Sequence, residues 1–264
     1  MRLEIVSSSN EALFFKHIKG NFAEYFFFHV DYAQYPEKTK IYIAVQEETI
    51  QAMLLIWEDR RVQIRGNLPG TEFLLQNIGY LKKIQPISVT GFEEHKSLIK
   101  DYFHQYELAT ILYRMGLTSG HQKDYETYPF MPLGENQRNE ITSLMRKSDP
   151  IFWGTREPEE LLIDEHNKWF GIIKDDRLVS IIGAWFYEKV GYLTIVGTHP
   201  DYWNKGLASS LISSALKEIF KDRKQCYIMV RVDNPPAIHT YEKLGFKICN
   251  THYNFEKERE EILS

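Results

Sequence analysis

One strand-to-helix junction constrains this chain more than any other feature. It is TIVGTHPDYWNKGLASSLISSAL, Thr194 to Leu216. The apolar run Leu193 to Thr198 is rich in β-branched residues and reads as a strand. It breaks at His199-Pro200-Asp201, because Pro200 brings no N–H to a ladder. A short polar loop, Trp203 to Ala208, leads into a helix. Its Leu207, Leu211, Ile212, Ala215, Leu216, Ile219 and Phe220 share one stripe. Strand, small-residue loop and helix in that order aim backbone N–H groups and a positive helix end at one spot, which suits a phosphate. Gly206 and Ala208 leave the backbone uncovered there, and Lys205 adds a positive charge. Neither G-x-x-x-x-G-K-[ST] nor G-x-G-x-x-G is present. The stretch alone therefore leaves an ordinary turn open beside the phosphate reading.

With 264 residues the chain has room for one large or two ordinary domains. At that size folding hides roughly 70% of the surface, so no staple is needed. A formal charge of −4 and a pI near 6.2 give no basic excess of the kind nucleic-acid binders carry. Cys226 and Cys249 stand far apart and suggest neither a disulfide framework nor a metal site; Cys226 opens an apolar run and reads as a buried free thiol. The N-terminus has no signal-peptide apolar region, and no apolar run is long enough to span a bilayer. A cytoplasmic protein that binds neither nucleic acid nor membrane is the expectation.

Along the chain, Asn10 to Ile18 reads as a helix and 19–36 as an aromatic-rich second helix and connection. Three strands follow, Ile41 to Gln46, Ile50 to Trp57 and Arg61 to Arg65. The turn Asn67-Leu68-Pro69-Gly70 opens a helix to Gly79. Ile87 to Thr90 and Ala109 to Met115 read as strands around a helix, Phe92 to Tyr106. The polar, aperiodic Thr118 to Glu126 is taken as the domain boundary. The second half repeats the order: strand Tyr128 to Leu133, helices Asn136 to Lys147 and Glu157 to Glu165, strands Lys168 to Lys174, Leu178 to Tyr187 and Val190 to Thr198, then the junction. Strand Cys226 to Val232, helix Pro235 to Leu244 and strand Phe246 to Phe255 complete it. VQEETIQAMLLIW (Val45 to Trp57) and IKDDRLVSIIGAW (Ile173 to Trp185) match in pattern and turn placement, which suggests an internal duplication. The first copy has only Asn67-Leu68-Pro69-Gly70 where the second has the long loop, so only the second is expected to cradle phosphate.

A second compact segment is NPPAIHTYEKLGF, Asn234 to Phe246. Asn234 suits an N-cap, Pro235 the first helical position and Gly245 the C-terminal stop, with Phe246 as apolar follower. Ala237, Tyr241 and Leu244 fall on one face.

Together, VGTHPDYWNKGLASSLISSAL and DNPPAIHTYEKLGF resemble the two signature regions of the GNAT superfamily of N-acetyltransferases, across roughly Tyr128 to Phe255. The first looks like the family's acyl-coenzyme A loop, the second like its N-x-x-A-x-x-x-Y-x-K-x-G-F region. The resemblance implies a mixed α/β fold with a mostly antiparallel sheet, in two tandem GNAT-like domains. Residues 1–120 would be a degenerate copy without the cofactor loop, and 121–264 the acyl-CoA-binding catalytic domain. It implies acetyl-CoA as co-substrate, no metal, a small-molecule amine as acceptor, direct attack in a ternary complex, and a monomer or homodimer. Val196, Gly197 and Thr198 would end the splayed strand that binds the pantetheine arm. Asn204, Lys205, Gly206, Leu207, Ala208 and Ser209 would offer N–H groups to the pyrophosphate. Asn234 would contact the coenzyme or brace its neighbouring strand, and Tyr241 would be the general acid at the sulfur.

Two positions depart from the family's pattern. Trp203 stands where it usually has Gln or Arg, and Tyr192 where a carboxylate is common. No base is therefore assigned; Glu188, His199 and His239 are candidates by proximity in sequence alone. The chemistry fits Tyr241 independently: acyl transfer expels a thiolate of pKa about 8.5, and a phenol of pKa about 10 can protonate it. A backbone N–H near Gly197 or Thr198 could hold the oxyanion. Two alternatives stay open, a non-catalytic acyl-CoA-binding sensor or assembly protein, and an enzyme like the glycine N-acyltransferases with longer acyl donors.

Overall fold

The computed structural model describes residues 1–125, 127–187 and 190–257, without the side chains of 151 and 152. The chain divides into two compact units, Met1–Arg114 with Cys249–Ser264, and Met115–Ile248.

The first unit begins with β1 (Arg2–Ile5), α1 (Glu11–Lys19) and α2 (Phe22–Gln34). The meander β2 (Thr39–Gln46), β3 (Thr49–Trp57) and β4 (Arg61–Gly66) follows, then α3 (Leu68–Asn77), β5 (Ser88–Gly91) and α4 (Lys96–Tyr102). Strand β6 (Tyr106–Thr118) runs across the division into the second unit. That unit holds β7 (Met131–Leu133), α5 (Arg138–Ser148), α6 (Pro150–Trp153), β8 (Asn167–Lys174), β9 (Arg177–Phe186), β10 (Val190–Thr198), α7 (Leu207–Ile219), β11 (Gln225–Arg231) and α8 (Pro235–Lys243). The last strand, β12 (Lys247–Lys257), pairs antiparallel with β5, from Tyr253↔Gly91 to Glu256↔Ser88. Strand β12, from Cys249 onward, thus completes the first unit.

The sheets are mostly antiparallel. Parallel pairing occurs at β4–β5 and β10–β11, each joined by a helix, as a crossover requires. In the first unit strand alternation feeds two cores. Ile41, Ile43, Val45, Met53 and Leu55 pack with Phe14, Ile18 and Phe28 on one face. Ala44, Leu54, Ile56, Val62 and Ile64 pack with Leu74 and Leu75 on the other. In the second unit Ile141, Leu144 and Met145 of α5 meet Trp169, Ile181 and Ile195. The apolar stripe of α7, from Leu207 to Ile219, is buried as its periodicity predicts.

Register gives the duplication physical content. The β2–β3 and β8–β9 hairpins both turn through two left-handed non-glycine residues, Glu47-Glu48 and Asp175-Asp176. Both shift register at the matching place, Ala44/Val45 and Ile172/Ile173. Two-residue turns with positive φ carry the twist that hairpin strands need.

Several expectations meet differences. Strand β1 has no counterpart in the sequence reading. The helix expected at Glu157 to Glu165 is a single 3-10 turn, Pro158–Glu160. The polar stretch after β6 belongs to the second unit: Ser119 N donates to Lys224 O, Lys123 N to Leu244 O, and Tyr125 N to Ser213 Oγ at 3.1 Å. Tyr128 N donates to Ser210 Oγ, so the buried serines of α7 bind extended chain.

Asp31 on α2 yields a stability prediction. Burial pushes its carboxyl up to about 7, against the pull of Arg61. A raised carboxyl pKa means the folded state holds its proton more tightly, so this contribution is full below about pH 4 and fades as pH rises towards 7. Asp31→Asn is expected to raise Tm by about 2–5 °C at pH 8 and by nothing at pH 4, as thermal melts would show.

Candidate functional site

Strands β10 and β11 pair from Val190↔Gln225 to Leu193↔Ile228 and no further, although β10 runs to Thr198 and β11 to Arg231. The register between β10 and β9 shifts between Leu193 and Ile195 and then resumes, from Ile195↔Gly183 to Thr198↔Ser180. Thr194 is therefore an extra residue, a bulge that bends β10 away from β11. Beyond it the two strands part. Alternate N–H and C=O groups of Thr194 to Thr198 face the opening without a β11 partner, and such groups need partners of their own. Thr194, Val196 and Thr198 keep partial exposure along this edge.

At the wide end sits the loop. Asn204 and Gly206 are both left-handed, at φ 59 and 77, so successive N–H groups converge, as in an anion nest. Gly206 is the N-cap of α7 and makes no side-chain cap. The N–H groups of Leu207, Ala208 and Ser209 have no intrahelical acceptor by construction. A Cβ at Gly206 would meet nothing within 4 Å, so the loop is open on the side that Cβ would face. Leu207 is buried and anchors the helix start. Tyr128 Oη donates to Lys205 O at 2.9 Å and steadies the loop. The Lys205 ammonium folds back to Asp201 O at 2.8 Å, over the Tyr202 ring.

Gly197 faces α5: a Cβ there would lie 2.9 Å from Ser148 Oγ. Ser180 Oγ contacts Gly197 O and Thr198 Oγ1 at 3.3 and 3.0 Å. Asn234 caps its own helix, its Oδ1 accepting from Ala237 N at 3.2 Å. Tyr241 is the buried residue of α8. Its ring packs on Phe246 at 6.0 Å, and the helix ends at left-handed Gly245 with Phe246 N donating to Tyr241 O. Burial, and then Tyr192 on β10, raise the Tyr241 phenol above its ordinary value. Tyr192 itself is buried beside Trp185.

Of the base candidates, His199 lies at the loop start, accepting from Asp201 N, and His239 is exposed. Glu188 lies outside the described residues. Sequence reading missed Arg231 and Asp149. Arg231 ends β11 and reaches Asp149 at 3.7 Å and Asp233 at 3.0 Å, a pairing between distant segments that no local pattern announces. Among the described residues no cluster of His, Cys, Asp and Glu could hold a metal ion, and no helix is long and apolar enough to cross a membrane. Cys226 is buried, which raises its thiol pKa, and Cys249 is exposed.

In the first unit β4 also runs on to Gly66 past its last pair with β5, Gln63↔Thr90, but among the described residues the bulge and the open helix cap have no counterpart there. Hairpin register sets Arg65 of β4 where β10 has Gly197, and β3–β4 runs without a shift, so nothing corresponds to Thr194. Arg65 is wholly buried, donating to Ile64 O, 3.0 Å from His252 Nδ1 and 4.4 Å over Phe92. Asn67 caps α3, accepting from Gly70 N at 2.8 Å, and Pro69 removes a further N–H.

The family model described as Acetyltransferase (GNAT) family matches residues 138–246, from the start of α5 to the end of the Tyr241 helix. The C-terminal half carries a GNAT domain. The family uses acetyl-CoA as co-substrate. The GNAT domain is similar to an N-alpha-acetyltransferase of Saccharolobus solfataricus, 37% identical over 31% of this chain and 61% of that protein. It is also similar to a mycothiol acetyltransferase of Corynebacterium aurimucosum, 35% identical over 24% of this chain and 21% of that one. The chain thus spans about three-fifths of the first relative's length and a fifth of the second's. In fold, it resembles a tandem GNAT protein from the clavulanic acid biosynthesis pathway, with a TM-score of 0.59 at 10% identity, covering 98% of this chain and all of that one. The mixed α/β architecture is that of two GNAT-like domains in tandem.

Proposed function

We propose that the second unit is an acyl-coenzyme A-dependent N-acyltransferase, with acetyl-CoA as donor and the primary amine of a small molecule as acceptor. One observation carries this reading: the opening that starts at the Thr194 bulge leads to the uncapped N-terminus of α7. An arm with amide groups fits the unpaired edge of β10, and a diphosphate at its far end fits the N–H groups from Asn204 to Ser209.

Transfer then proceeds in a ternary complex. The neutral amine's lone pair attacks the thioester carbonyl, and a backbone N–H of the open β10 edge takes the oxyanion. The C–S bond breaks with its electron pair on sulfur, and Tyr241 donates its proton there. The ammonium proton of the adduct passes through water back to the Tyr241 phenolate, which restores the acid. A buried phenol is a weaker acid than one in water, so donation relies on the thiolate being equally starved of solvent. Asn234 acts through its cap, fixing the start of the Tyr241 helix just beyond the end of β11. The first unit serves as a degenerate copy without a donor site, since Arg65 and the Asn67 cap occupy the places where an arm and a phosphate would lie.

A thiol-release assay with acetyl-CoA over a panel of amines tests the reading, and a benzoyl donor fixes the acyl group. At least one amine is expected to release coenzyme A well above the buffer rate. No acceleration by any amine would overturn the enzymatic claim. Tyr192, standing where a carboxylate base is common, favours a second reading: a protein that binds the coenzyme without turnover. Tight binding by calorimetry with no release is its signature.

A further inference from the structure

Trp203 is unusual among the aromatic side chains of this protein. It is 54% exposed, yet it is not loose. Its indole Nε1 donates to Thr198 O at 2.7 Å, and its own N–H donates to Pro200 O at 3.1 Å. The side chain is thus tied to the end of β10 while a large apolar surface stays in water. It stands three residues before the open cap Gly206, within the loop whose N–H groups converge. A ring with its one polar atom already used cannot serve a phosphate as a donor; what it has left to offer is its π-face.

We infer that Trp203 is the stacking platform for the adenine of the donor's nucleotide end. The inference rests on the coenzyme reading of the groove. An arm laid along β10 with its diphosphate at Gly206 sends the nucleoside outward past the loop, where Trp203 is the exposed ring. Stacking on a preoriented indole requires little ordering at the moment of binding, and each base so stacked gains about tenfold to hundredfold in affinity. The family's usual Gln or Arg is thereby replaced by a different kind of contact.

The test compares acetyl-CoA with S-acetylpantetheine, which lacks the nucleotide, on wild type, Trp203→Ala and Trp203→Phe. Trp203→Ala is expected to raise Kd for acetyl-CoA about tenfold to hundredfold and to leave Kd for S-acetylpantetheine unchanged. Trp203→Phe keeps a ring face but loses the bond to Thr198, and is expected to lose less than fivefold. A Phe variant as weak as the Ala variant would show that the indole only braces the loop through its bond to Thr198, and equal losses for both donors would show that Trp203 does not act on the nucleotide end. An Ala variant that binds acetyl-CoA like wild type also overturns the inference. Wild type binding neither donor overturns the coenzyme reading itself, and the role of Trp203 with it.

Discussion

Tyr241→Phe is expected to lower kcat about 10²- to 10³-fold with little change in KM for acetyl-CoA. The substitution removes one hydroxyl and keeps the ring that packs on Phe246, so the helix end and its Gly245 stop remain. An interaction made only as the thiolate leaves acts on turnover rather than on binding. The pH profile adds a second arm. Burial and Tyr192 raise the phenol's pKa, so Tyr241 stays protonated through neutral and mildly alkaline pH. The wild-type rate should therefore rise as the acceptor amine loses its proton and show no alkaline fall below about pH 10. Steady-state kinetics from pH 6 to 10 would show both. An unchanged kcat in the Phe variant, or a falling limb near pH 8, argues against Tyr241 as the acid.

The second large effect concerns Gly206. Gly206→Asp is expected to weaken acetyl-CoA binding about 100-fold. Space is not at issue, since a Cβ there meets nothing within 4 Å. Asp and Asn both tolerate the left-handed backbone that Gly206 adopts at φ 77, so Gly206→Asn carries the same strain without the charge. The Asn variant should lose only a few-fold. The difference is a carboxylate facing a diphosphate, which at about 5 Å and an effective dielectric near 20 is worth about 3 kcal/mol. It should shrink in high salt. Titration calorimetry at two ionic strengths reads all of this. Equal weakening by Asn and Asp, independent of salt, would mean that the loop does not receive the anion.

Local chemistry was legible in the sequence. Asn234, Pro235 and Gly245 announced α8, and the apolar stripe from Leu207 announced α7, because caps and periodicity act within a few residues. The hairpin Val45 to Trp57 and its repeat at Ile173 were legible for the same reason. The bulge at Thr194 was not. It is a fact about register between β9 and β10, and no residue type dictates it. Strand β12 read as the end of the second half, yet from Cys249 onward it lies in the first unit, because strand pairing does not follow chain order. Arg65 was visible as a residue, but its place opposite Gly197 emerges only when the two meanders are aligned by pairing. Trp203 was visible as a departure from the family's pattern; its exposure and its bond to Thr198 belong to tertiary structure.

We propose one donor site per chain, at the bulged strand and open helix cap of the second unit. The most direct test is calorimetric titration of the full chain with acetyl-CoA, wild type beside Gly206→Asp. One site per chain, weakened about 100-fold in the variant, is the predicted result. Two sites per chain, none, or a single site indifferent to Gly206 would contradict it.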